Sequence, residues 1–301
     1  MVTASGVRIG WGDLPARVRH AVTDTLGGEV VDAVSQSGGF SPGTADRVRT
    51  ARGRRAFVKA VSPAQNEHSP NMLRRESQVT AALPPEAPTP AVLGTYDDGD
   101  WVALVLTDVE GRHPDTPWRP DQLASVLAAL DELTRIPPPA GTPTARDYLE
   151  SDFTGWHRIR ADPPSTLDGW TAANLDDLCR LAERGIVALA GDTLVHADIR
   201  ADNLLIDPHG TVTVVDWPHA CRGPAWLDTL MLLFNVRLHG GRPDLVTVEA
   251  DRGDLVGVLA GLGGFFADAA RHPPPVGLPS LREFQQAQAD VVVSWLREIS
   301  G

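Results

Sequence analysis

Residues 194–217 (LVHADIRADNLLIDPHGTVTVVDW) limit most sharply what this chain can fold into. Leu194 and Val195 read as a short strand, followed by a polar loop. Two β-rich runs, 204–206 and 211–215, flank an Asp207-Pro208-His209-Gly210 turn, the pattern of a tight hairpin. Asp198 and Asn203 lie in the loop before it, and Asp216 follows its last apolar residue. Folding the hairpin would bring an acid, an amide and a second acid together. Such a set suits phosphoryl transfer, with one carboxylate orienting the attacking hydroxyl and Asn203 and Asp216 holding Mg²⁺ against nucleotide phosphates.

The N-terminal part reads as strands around one helix. Leu14, Val18, Val22 and Leu26 recur every four residues and mark an amphipathic first helix ending at Gly27-Gly28. Residues 29–35 and 45–50 read as antiparallel strands joined by Ser37-Gly38-Gly39-Phe40-Ser41-Pro42-Gly43, and 54–61 as a third strand. A glycine-rich turn in that place can lay backbone N–H groups over phosphates, and it also suits an ordinary hairpin. Residues 72–83 read as a helix carrying Glu76, and 91–96 and 101–106 as strands four and five. Lys59, inside the third strand, is the only lysine in the chain, against 26 arginines. An ammonium is a point charge and a guanidinium a planar fork, so a single exception to an arginine bias points to a tight phosphate site. After Pro120 the pattern becomes helical, at 122–136, 145–159 (a helix or two), 167–190, 229–238, 254–271 and 280–299.

The spacing His196-x-Asp198-xxxx-Asn203, with Asp216 beyond the hairpin, resembles the catalytic loop of the protein-kinase-like fold in its aminoglycoside phosphotransferase branch. The likeness runs from about Glu29 to Asp228, with the elements in family order. It implies an α+β, two-lobed fold: residues 1–108 as a nucleotide-binding lobe of five antiparallel strands plus one helix, and 109–301 as a larger, mainly helical lobe with the catalytic loop and acceptor pocket. It further implies that Lys59, held by Glu76, touches the α and β phosphates. Gly38, Gly39, Phe40 and Ser41 would cover the nucleotide, while backbone groups of Thr107 and Val109 pair with the purine edge. Asp198 would be the catalytic aspartate, and Asn203 and Asp216 the Mg²⁺ ligands. Arg200 either steadies the transferred phosphoryl group by charge-assisted contact or faces solvent. His196 is expected to brace the loop through backbone hydrogen bonds. Asp228 would brace the loop backbone or satisfy the free N–H groups of a helix start. Two departures stand out: Trp217-Pro218 follows Asp216, and the glycine loop lacks G-x-G-x-x-G.

Only 11 residues separate Asp216 from Asp228, which leaves no room for an activation loop, and no A-P-E follows. The expected activity is transfer of the terminal phosphoryl group of ATP or GTP to a hydroxyl of a small molecule, such as an aminoglycoside or other antibiotic. The alternative is a catalytically silent kinase-like module that binds nucleotide or ligand. A net charge of −12 argues against a nucleic-acid partner. Residues 112–301 carry 16 Arg against 26 Asp and Glu, which would draw in a cationic acceptor. The start of the chain lacks a signal-peptide pattern. The longest mostly apolar run, 255–267, is too short to cross a bilayer and contains four glycines. Cys179 and Cys221 lack any metal-ligand or disulfide pattern and read as buried free thiols. A cytoplasmic protein is expected.

Overall fold

The computed structural model describes residues 7–300, apart from Ser37, Asp244 and Leu245. The extreme N-terminus and Ser37 of the glycine turn thus lie outside the described residues. Leu14, Val18, Val22 and Leu26 are all buried, the last three on helix α1 (Ala16–Leu26), which stops at Gly27 in the left-handed conformation (φ 67°). Strands β1 (Val30–Ser35), β2 (Thr44–Thr50) and β3 (Arg55–Val61) form a meander, followed by α2 (Ser69–Ala82). Strands β4 (Val92–Asp97) and β5 (Val102–Thr107) complete a five-stranded antiparallel sheet of order β1-β2-β3-β5-β4. The period-two alternation of β3 decides what faces what. Ala56, Val58 and Ala60 pack on the side of α1, whereas Phe57, Lys59 and Val61 share the opposite face with Leu73 of α2 and Leu104 of β5. Helix α2 starts three residues before the expected position. Asn66 Oδ1 accepts the N–H groups of His68 and Ser69 at 3.0 Å, and Pro70 is harmless in the first turn.

The second half contains α3 (Pro120–Leu133), α4 (Ala145–Phe153), α5 (Gly155–Ala161), α6 (Gly169–Ala173) and α7 (Leu175–Ala188). Strand β6 (Thr193–Val195) leads into the polar loop, then β7 (Leu204–Ile206) and β8 (Val212–Val214) form the expected hairpin. Its turn is held by Asp207 Oδ1, which accepts from His209 N and Thr211 N at 2.8 and 2.9 Å. A further strand, β9 (Cys221–Gly223), pairs antiparallel with β6 and was not legible in Cys-Arg-Gly. Helices α8 (Leu227–Leu238), α9 (Arg252–Ala270) and α10 (Leu281–Ser300) complete the chain. Cys179 and Cys221 are free and buried.

The apolar run at 255–267 proves to be part of a longer element. Helix α9 spans 19 residues and is long and apolar enough, by length and composition, to cross a membrane, yet 56% of that window is buried inside the fold. Its glycines serve close packing. A Cβ on Gly257 would sit 2.7 Å from Gly185 N of α7, and one on Gly155, at the start of α5, would sit 2.9 Å from Phe265 N. Backbone approaches backbone at both crossings, which only glycine permits. The same contact explains why 145–159 is two helices, α4 turning at Thr154 so that Gly155 can meet α9.

Candidate active site

Lys59 projects from β3 toward α2 and is met there by Glu76, Nζ to Oε1 2.7 Å. Lys59 also pairs with Asp216, which follows β8. All three side chains are largely enclosed, and the ion pairs bind the sheet to the loop beyond the hairpin. Burial opposes the charge on Lys59, but Asp216 and Glu76 outweigh it and the pKa of the ammonium is raised. Burial pushes the Glu76 carboxyl up toward about 7 against the pull of Lys59, while Lys59 and Arg200 overcome burial at Asp216 and lower it. One ammonium thus keeps one carboxylate fully ionised and leaves the second under-compensated. Asp216 sits at φ 65°, a left-handed backbone that costs a non-glycine residue about 1–3 kcal/mol.

The loop after β6 is braced from inside. The two oxygens of Asp228, on α8, accept His196 N at 2.7 Å and Ala197 N at 2.9 Å, fixing a second left-handed residue, Ala197 at φ 62°. His196 is fully buried: Nε2 donates to Val215 O at 3.0 Å and Nδ1 accepts from Asp198 N at 3.2 Å, which fixes the tautomer. Burial pushes its pKa down to about 4 despite Asp198, so it is a neutral strut between loop and hairpin. Asn203 Nδ2 donates to both Asp198 O (2.8 Å) and Asp198 Oδ2 (2.9 Å), setting the carboxylate's direction. Arg200 is held by Asp202 through two bonds, 2.8 and 3.0 Å, and lies 3.7 Å from Asp198 Oδ1. Asp202, which no motif marked, is therefore the residue that aims Arg200.

A cavity of about 1140 Å³ opens between the sheet and the helices, and Lys59, Glu76, Asp198, Arg200 and Asp216 all line it. Gly38, Gly39, Phe40 and Ser41 form part of its wall, as do Thr107 and Val109. Asn203 does not. It is 1% exposed and stands behind Asp198. Its Nδ2 is spent on Asp198, and its Oδ1 takes no protein donor among the described residues. An amide oxygen and the Asp216 carboxylate form a hard, all-oxygen donor set of the kind Mg²⁺ takes. At the other end, Thr107 N donates to Ala91 O (2.9 Å) and Val109 O accepts from Arg47 (3.0 Å), so those two hinge groups already have protein partners.

The glycine loop is tied down by residues no motif marked. Arg8, before α1, forms an isolated bridge with Gly43 and donates from Nη2 to Gly38 O at 2.6 Å. Its buried Nε has no acceptor among the described residues; burial lowers its pKa, opposed by Asp216 and Asp46. Phe40 at the loop tip packs against Phe284 of α10, ring centres 4.8 Å apart and planes tilted by 42°, and Arg200 lies 5.7 Å from both rings. On the helical side, Tyr148 Oη and His219 Nδ1 are 2.8 Å apart, with Arg75 4.2 Å above the tyrosine ring. Only the turn-by-turn spacing of Tyr148 and Asp152 on α4 could have signalled that wall.

A meander sheet with one helix, a lysine–glutamate pair reaching an acid beyond a hairpin, and an Asp–Asn loop define the protein-kinase-like fold of aminoglycoside phosphotransferases. Residues 37–264 match the model of the phosphotransferase enzyme family, and the chain belongs to that family. No curated protein matches it. Among solved structures it is similar to a thermostable mutant of aminoglycoside phosphotransferase APH(4)-Ia in a ternary complex with ADP and hygromycin B. The identity is 16%, the TM-score 0.61, and the match covers 95% of this chain and 100% of the other. It is also similar to the AMP-bound spectinomycin phosphotransferase APH(9)-Ia, at 12% identity and TM-score 0.52 over 94% of both chains. A choline/ethanolamine kinase family protein from Mesorhizobium loti matches at 16% identity and TM-score 0.52, covering 85% of this chain and 84% of the other.

Proposed function

We propose that this protein is a cytoplasmic O-phosphotransferase that moves the terminal phosphoryl group of ATP or GTP to a hydroxyl of a small molecule. The observation that carries the reading is the convergence on one cavity of Lys59, paired with Glu76 and Asp216, and of Asp198, aimed by Asn203. In this reading residues 1–108 form the nucleotide lobe and 109–301 the acceptor lobe. Lys59 contacts the phosphates, and Gly38, Gly39, Phe40 and Ser41 cover them. The Val109 N–H is the hinge group left to donate to the purine. Asp198 orients the acceptor hydroxyl and takes its proton as the O–P bond forms, which is why Asn203 must hold its carboxylate still. Arg200, clamped by Asp202, places positive charge beside Asp198, where the transferred group carries its negative charge. Asn203 and Asp216 would hold Mg²⁺, whose charge neutralises the phosphate oxygens.

Family neighbours bound to ADP or AMP support the nucleotide, and the one bound to hygromycin B supports testing aminoglycosides and other antibiotics as acceptors. The test is incubation with Mg-ATP, and separately Mg-GTP, and a pooled panel of hydroxylated compounds, read by mass spectrometry for gain of one phosphoryl group. Nucleotide binding without any product across the panel would favour the silent binding module. Trp217-Pro218 after Asp216, the irregular glycine loop and the position of Asn203 off the cavity wall stand on that side.

A further inference from the structure

The acceptor end of the cavity is unlike the outer surface of the acidic lobe. The carboxylates on the cavity wall are almost all engaged: Glu76 and Asp216 by Lys59, Asp108 by Arg47 and Arg55, Asp202 by Arg200, and Asp198 by Asn203. Asp152 alone among them has a carboxylate with no ion pair or hydrogen bond among the described residues. It sits one turn after Tyr148 on α4, and Tyr148 lies within electrostatic reach of both Asp152 and Asp198. Burial raises the Asp152 pKa, opposed by Arg158 and His219. Six apolar residues of α8, α9 and the approach to α10 line that side, Met231, Phe234, Leu262, Phe265, Phe266 and Leu278, and the polar members beside them, Asn235, Gln285 and Gln288, are uncharged amides. Phe266 stacks on Phe234 at 5.6 Å and meets Phe265 at 5.1 Å.

Building on the phosphotransferase reading, we propose that the acceptor is an amphiphilic alcohol with a single basic amine. The ammonium pairs with Asp152, and the apolar body lies on the Phe234–Phe265–Phe266 wall with its hydroxyl at Asp198. A polycation is disfavoured by the same wall. Each ammonium beyond the first would lose its water against rings, an effective cost of several kcal/mol per ion. A cation–π contact returns only about 0.5–2 kcal/mol. The acidic surface of the lobe adds long-range attraction for one positive charge without supplying partners inside.

The test compares kcat and KM for three acceptor groups with saturating Mg-nucleotide: apolar alcohols bearing one tertiary amine, macrolides among them; the N-oxides of the same compounds, which carry no net charge; and polycationic aminoglycosides, including hygromycin B. The monoamines should give the highest kcat/KM. Asp152→Asn should raise KM for the amines at least about tenfold with kcat little changed, while N-oxide kinetics stay within about twofold, and Asp152→Glu should recover much of the loss. Phe265→Ala should raise KM for amine and N-oxide alike, which guards against a misfolded Asp152 variant. A higher kcat/KM for the aminoglycosides, or amine kinetics indifferent to Asp152→Asn, would overturn the acceptor assignment and leave the phosphotransferase reading intact. No transfer to any group by nucleotide-loaded protein would overturn both.

Discussion

Replacing Asp228 by Asn probes the brace beneath the catalytic loop. The carboxylate accepts two backbone N–H groups in a site only 4% exposed. Burial, opposed by those two bonds and aided by Asp198, raises its pKa from 3.8 to about 6. The folded protein therefore holds a proton that the unfolded chain has released between those values. The contribution of this group to stability is fully present below pH 3.8 and is lost as pH rises through about 6. At about 1.4 kcal/mol per pH unit the loss is about 3 kcal/mol. The amide of Asp228→Asn does not titrate, but its NH₂ faces one of the two N–H groups and leaves it unpaired, a constant penalty of about 1–3 kcal/mol. Relative to wild type, the variant should therefore gain about 3 kcal/mol in unfolding free energy between roughly pH 4 and pH 7. Urea unfolding of both proteins, followed by tryptophan fluorescence across that range, gives the difference with other titrations cancelled. A difference flat to within about 0.5 kcal/mol would refute the claim that Asp228 is a buried carboxyl with a raised pKa. Phosphoryl transfer should fall as well, because Ala197 loses the bond that holds its left-handed backbone.

Three other outcomes follow from the geometry. Lys59, the only lysine, is a paired, enclosed ammonium with a raised pKa, so amine acylation of the native protein at mildly alkaline pH should leave it unmodified and label it only after urea is added. Mass spectrometry showing equal labelling of Lys59 in both states would contradict its burial between Glu76 and Asp216. Arg8→Ala removes the tie to Gly38 and a cation near Asp216, beside the proposed phosphate site, and should weaken nucleotide binding about 10–100-fold by isothermal titration; unchanged affinity would make Arg8 a purely structural residue. Gly155→Ala should cost about 1–3 kcal/mol in urea unfolding because its methyl meets the α9 backbone. Wild-type stability in that variant would show that α5 and α9 can separate without penalty.

The strands, the first helix and the hairpin were legible because each rests on local pattern: period-two alternation in β3, four-residue spacing in α1, and the Asp-Pro-His-Gly turn. Lys59 and Glu76 were legible through composition and position, and the sheet's alternation then placed them on one face. What stayed hidden depends on tertiary approach. Strand β9 exists because β6 needs a partner, not because Cys221-Arg222-Gly223 favours extension. The glycines of α9 read as breakers of an apolar run, but they let the α7 and α5 backbones come close. Arg8, Asp202 and Asp152 were silent for a simpler reason: a charged residue in a loop or on a helix reads as solvated until the fold shows what faces it. The acidic composition of the C-terminal part likewise pointed to a cationic acceptor without revealing the Phe234, Phe265 and Phe266 rings on the cavity wall.

In the proposed reaction Asp198, aimed by Asn203, activates the acceptor hydroxyl. Single-turnover phosphoryl transfer by wild type and Asp198→Ala, with nucleotide affinity measured in parallel, tests it most directly. The transfer rate should fall by about 10²–10⁴ with nucleotide affinity nearly unchanged. Transfer at the wild-type rate in the variant would contradict it.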